Sequence, residues 1–72
     1  MSLFEQWICN EVTASWRRTR QPVRTRVLAD LTGKHDRTVR YVLVRLESRG
    51  VIERRGQRGG WMPVRSVFGQ GG

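Results

Sequence analysis

Arg37, Arg40, Tyr41 and Val44 recur at spacings of three and four, so a single helix would carry them on adjoining faces. The chemistry they suit is contact with an anionic surface that has patterned edges. A guanidinium presents a planar fork of donors that matches two phosphate oxygens, or the O6 and N7 of guanine. The Val44 methyls suit a thymine methyl. Arg45, further along, suits a phosphate, and Lys34 and Thr38 flank the start of the same stretch. A second basic group follows at Arg54, Arg55 and Arg58, with Gln57 among them as a hydrogen-bonding partner and glycines at 56, 59 and 60. Those glycines let a tight hairpin tip approach a backbone closely. Arg58 at the tip suits a narrow minor groove, where negative potential is concentrated.

The charge balance points the same way. The 72 residues carry fourteen Lys and Arg against six Asp and Glu, for a formal net charge of +8. Residues 1 to 16 hold Glu5 and Glu11 and no basic side chain, so every cation lies from Arg17 onward. Such a field attracts polyanions and speeds encounter with them. Lys34 is the only lysine; a high-GC genome would account for Arg over Lys, but not for the excess of base over acid.

Other classes of chemistry lack their residues. Cys9 is the only cysteine and His35 the only histidine, so no internal disulfide and no zinc site of three or four Cys/His ligands can form within one chain. Cys9 is expected to be a buried apolar thiol, and His35 a turn residue. No pairing of nucleophile and base, no carboxylate pair and no phosphate-cradling loop is visible, so neither an enzyme nor a cofactor is expected. Gly56-Gln57-Arg58-Gly59-Gly60 lacks the Lys-Ser/Thr ending of a P-loop. The N-terminus MSLFEQW has no basic segment leading into a long apolar run, and no stretch approaches the ~18 apolar residues of a membrane span. A cytoplasmic, nucleoid-associated protein without membrane contact is expected.

The elements that must position these side chains follow from periodicity. Ser2 and Glu5 form a capping box, and Leu3, Phe4, Trp7, Ile8, Val12 and Trp16 give an amphipathic helix over about 3–18. Arg17, Arg18 and Arg20 suit its C-terminal end, and Gln21-Pro22 breaks it. Val23 suits a short strand. Thr25 is the expected N-cap of a second helix through Val27, Leu28, Ala29 and Leu31, stopped by Gly33. Asp36 is the expected N-cap of a third helix over 36–49, whose Val39, Val42, Leu43 and Leu46 form one apolar stripe and which Gly50 stops. With Val39 and Leu43 inward at 100° per residue, Arg37, Tyr41, Val44 and Ser48 face outward, with Arg40 and Arg45 on the flanks. Residues 51–55 and 61–64 suit a hairpin, with Pro63 suggesting an exposed edge, and Ser66, Val67 and Phe68 extend it. Residues 1–68 make one domain and 69–72 a tail.

The segment RVLADLTGKHDRTVRYVLVRLESRGVIERRG resembles the winged helix-turn-helix family, the resemblance running from Thr25 to Val64. Ala29 takes the small-residue place between the second and third helices, Gly33 the turn glycine, and Thr38-Val39 the opening of the recognition helix. Leu43, Leu46 and Gly50-Val51-Ile52 close the motif. Thr32 and Lys34 depart from it, standing where apolar side chains are usual, which leaves that corner less well packed. The resemblance implies a small α+β fold of three helices plus a C-terminal β-hairpin wing. It also implies binding of double-stranded DNA, with helix 36–49 in the major groove and wing 54–61 on backbone or minor groove. The small size suits a sequence-specific transcription regulator of phage or plasmid type. The alternatives are a general nucleic-acid, architectural or RNA-binding protein, and a protein-interaction module on the same fold. Trp7 and Trp16 suit core positions, yet together with Phe4 and Leu3 they are a generous apolar load. A homodimer through helix 3–18 is the partner reading that follows.

Overall fold

The computed structural model describes residues 2–56 and 59–64. Three helices, α1 (Leu3–Thr19), α2 (Thr25–Thr32) and α3 (Asp36–Ser48), precede an antiparallel hairpin of β1 (Ile52–Arg55) and β2 (Gly60–Pro63). This is the expected α+β winged helix.

The capping box opens α1: the Ser2 hydroxyl accepts from the Glu5 N–H at 3.1 Å, and the Glu5 carboxylate accepts from the Ser2 N–H at 2.9 Å. The inward stripe of α1 differs from the one expected. Glu5, Ile8 and Val12 are buried, while Leu3 is 90% and Trp7 42% exposed. At 100° per residue Leu3 and Trp7 lie on a stripe far round the helix from Ile8 and Val12. A carboxylate with two partners, described below, takes the core position instead.

Thr25 is not an N-cap. Arg24 stands there, with extended backbone and no side-chain cap, and Thr25 is the first helical residue. The helix buries Leu28 and Ala29 and leaves Val27 and Leu31 exposed. Gly33 ends it at φ 73, a left-handed conformation that costs a glycine nothing, and gives its N–H to the Ala29 carbonyl at 2.9 Å. The polar corner is put to use. The Thr32 hydroxyl donates to the Leu28 carbonyl at 2.9 Å and accepts from the Lys34 N–H at 3.3 Å.

Asp36 is likewise inside α3 rather than its cap. His35 is the N-cap, its Nδ1 accepting from the Arg37 N–H at 3.0 Å, and Asp36 places a negative charge in the first turn. Val39, Val42, Leu43 and Leu46 are buried as one stripe. They join Ile8, Val12, Leu28, Ile52 and Trp61 in a single core. Burying each leucine fully contributes roughly 1.5–3 kcal/mol, which fixes the rotation of α3 about its axis.

The hairpin is tied to the helices rather than hanging free. Ile52 pairs with Pro63 and Arg54 with Trp61. Val23 adds a one-residue bridge on the other side of β2, exchanging bonds of 2.9 and 2.7 Å with Trp61. Pro63 is buried, not exposed. Val64 donates to Val51, which places Pro63 at a non-hydrogen-bonded position of the β1–β2 ladder, so its missing N–H costs that ladder nothing. Gly60, expected as a turn residue, is the first residue of β2; a Cβ there would stand 2.5 Å from the Pro22 Cβ.

Candidate nucleic-acid interface

Burial of its apolar stripe leaves α3 with a continuous exposed face. Arg37, Thr38, Arg40, Tyr41, Val44, Arg45 and Ser48 are all exposed, as is Lys34 just before the helix. Of the two large hydrophobic side chains on this face, Tyr41 is the more exposed, at 63% against 40% for Val44. Among the described residues, neither Arg37 nor Arg40 carries an ion pair, so both guanidinium groups remain to be matched from outside.

Arg45 is held differently. Its Nε donates to Glu5 at 2.9 Å, its Nη1 reaches the Tyr41 hydroxyl at 3.5 Å, and its guanidinium lies 5.8 Å from the Tyr41 ring centre. Tyr41 first, and Glu5 with it, hold the Arg45 proton more tightly than usual. Glu5 thus serves two elements. Its carboxyl lies below the ordinary glutamate range, chiefly because it accepts from the Ser2 backbone and further because of Arg45, against the opposing effect of burial. Glu5 locks the start of α1 to α3 and sets the position of Arg45.

The wing arginines are split between the two faces of the hairpin, as alternation along a strand requires. Arg54 lies over the Trp61 indole, 4.8 Å from the ring centre, with Glu47 at 3.9 Å. It faces a cleft of about 330 Å³ between the wing, the start of α2 and α3, which Arg40 also lines. Arg55 lies on the other side, near Arg20, Trp16 and Met62, beside a second cleft of about 650 Å³. The structure therefore brings Arg40 and Arg54 together and separates Arg55 from both. Gln57 and Arg58 lie outside the described residues.

A basic exposed helix, held on a helix-turn-helix and flanked by a hairpin, is the arrangement that enters a major groove. Residues 1–70 match the family described as winged helix-turn-helix transcription repressor, HrcA DNA-binding. The chain belongs to this family. No curated protein and no solved structure matches it.

As an HrcA-type winged helix-turn-helix domain, the chain is a DNA-binding unit in a family of transcription repressors. No helix among the described residues is long and apolar enough to cross a membrane. Among them, too, no group of three His, Cys, Asp or Glu gathers as a metal site. Cys9 is half-buried, and burial raises its thiol above the usual value.

Several residues that build this face are not evident from the sequence alone. Glu5 looks like a capping residue and nothing more, because its second partner, Arg45, is forty positions away. Arg24 and Arg26 stand on either side of the start of α2 and face the cleft that Arg40 and Arg54 share. Their spacing of two carries no helical signal, and only the fold brings them beside the wing.

Proposed function

We propose that the chain binds a specific sequence of double-stranded DNA and represses transcription there. In this reading α3 lies in the major groove, and the β1–β2 wing lies on the backbone or in the adjacent minor groove. The observation that carries it is the orientation of α3. With Val39, Val42, Leu43 and Leu46 in the core, Arg37, Arg40 and Tyr41 are exposed in the half of the helix that enters a groove first. Arg37 and Arg40 read base edges, Val44 meets a thymine methyl, and Lys34, Arg45, Arg54 and Arg55 hold phosphates. Gln57 and Arg58 take the wing tip to the minor groove or backbone. Bound DNA of this kind places the protein on the nucleoid.

A second copy of the chain is part of the proposal. Leu3 and Trp7 stand exposed on one stripe of α1, and the Phe4 ring meets Trp7 edge-on at 6.3 Å. A dimer through this stripe predicts two half-sites about one helical turn apart, ~10 base pairs, or a multiple of that. Trp7→Ala should move sedimentation toward the monomer with helical content retained; unfolding without a change in assembly would make Trp7 a structural residue instead.

Selection of bound duplexes from random DNA at a stated salt concentration tests the reading directly. A recovered sequence motif is the expected outcome. Recovery without sequence preference would mean general nucleic-acid binding, and no recovery a role without DNA.

A further inference from the structure

Four arginines line the cleft between α2, α3 and the wing: Arg24, Arg26, Arg40 and Arg54. Asp36 lines the cleft with them, and the Glu47 carboxylate stands 3.9 Å from Arg54, so two carboxylates face the four arginines. Like charges that share one cleft repel one another, and an anion bound among them relieves that repulsion. Among the described residues, Arg24 and Arg26 make no ion pair and no side-chain hydrogen bond, and both are exposed. Arg54 is pre-set, its guanidinium stacked on Trp61 at 4.8 Å, with the cleft before it.

The wall between these arginines is held by bonds between elements. The Trp61 indole donates to the Thr25 hydroxyl at 3.0 Å, and Val23 is bridged to Trp61 through both backbone bonds. Thr25 accepts in that bond and so keeps its own hydroxyl proton to give. The start of α2 adds to the positive field, since the Thr25 and Arg26 N–H groups have no intrahelical acceptor and Arg24 provides no side-chain cap.

We propose that this cleft is a phosphate-binding subsite, with Arg24 and Arg26 its principal ligands and Arg54 closing it from the wing. Its ligand is a backbone phosphodiester of the duplex, and in this the inference rests on the DNA-binding reading above. Arg40 stands where the cleft meets the exposed face of α3, so a strand bordering the groove that α3 occupies passes over it. Contact is to phosphate oxygens, for which the arginine fork is suited bidentately. The subsite sets register and affinity without reading sequence.

The test compares Arg24→Gln, Arg26→Gln and, as a control of equal charge on α1 outside the cleft, Arg18→Gln. Each is measured against the preferred and a random duplex over a range of salt. Each cleft variant should make the slope of log K against log salt shallower by about 0.9 for every phosphate it no longer neutralises. The loss of affinity should be the same on both duplexes, so the specificity ratio stays constant, and Arg18→Gln should leave the slope unchanged. In parallel, inorganic phosphate is titrated into the labelled wild-type chain, following the Trp61 indole N–H and the Thr25 and Arg26 amides by NMR. Shifts confined to these groups, absent in Arg24→Gln/Arg26→Gln, support the subsite even if no duplex is bound, in which case free phosphate is the ligand and the DNA reading fails. A wild-type chain that binds DNA while the cleft variants keep its slope, or lose no more than Arg18→Gln, overturns the subsite and leaves the DNA reading standing. No duplex binding and no shift with phosphate overturns both.

Discussion

Trp61 in the second wing strand donates its indole N–H to the hydroxyl of Thr25, the first residue of α2, and both side chains are buried. This bond, with the Val23 bridge, ties the wing to the helix-turn-helix. Thr25→Val keeps the shape and removes the acceptor, which leaves a buried N–H unpaired at a cost of about 1–3 kcal/mol. Trp61→Phe removes the donor as well as part of the packing. In a double-mutant cycle read by urea unfolding, the two losses should fall short of adding. Simple additivity would show that the bond couples nothing.

Most of the fold is legible in the sequence because local signals and the core agree. The Val39, Val42, Leu43 and Leu46 stripe fixes α3, and Gly33 marks the turn before it. The two helix starts differ from those the residue types suggest. Thr25 and Asp36 are both good caps by residue type, but each stands one residue inside its helix: Thr25 is held by the distant Trp61, and for α3 the neighbouring His35 supplies the capping acceptor locally. The exposed arginines of α3 follow from its periodicity. Arg24 and Arg26 do not, because their meeting with Arg54 depends on how the hairpin folds back across α2.

Glu5 gives the stability a defined acid dependence. Its carboxyl is lowered in the folded chain, first by the Ser2 backbone donor and further by Arg45. A group lowered on folding contributes stability that is fully present above its unfolded value, about 4.3 for glutamate, and lost as pH falls through the lower folded value. Glu5→Gln should therefore lower the urea midpoint at neutral pH and flatten its fall below about pH 4.3. Parallel pH profiles for the variant and the parent would contradict the role given to Glu5.

Gly60 is required by packing rather than by backbone conformation. Any Cβ there meets Pro22 at 2.5 Å, in the loop that joins α1 to α2. Gly60→Ala should cost about 1–3 kcal/mol through overpacking, whereas Gly60 would tolerate alanine if the loop yields. Thermal unfolding of the single variant decides between them. A melting temperature equal to that of the parent would mean that the wing base and the loop are not tightly joined.

Base reading by the exposed face of α3 is measured by competition binding. One preferred and one random duplex are compared at a single salt concentration for Arg37→Ala, Arg40→Ala and Tyr41→Ala, with folding confirmed for each. Arg40→Ala should cost about 1–3 kcal/mol on the preferred duplex and much less on the random one, so the specificity ratio shrinks with the affinity. Arg24→Gln, placed on phosphate, should lower both affinities and spare the ratio. If all three α3 variants fold and keep the ratio of the parent, α3 does not read sequence.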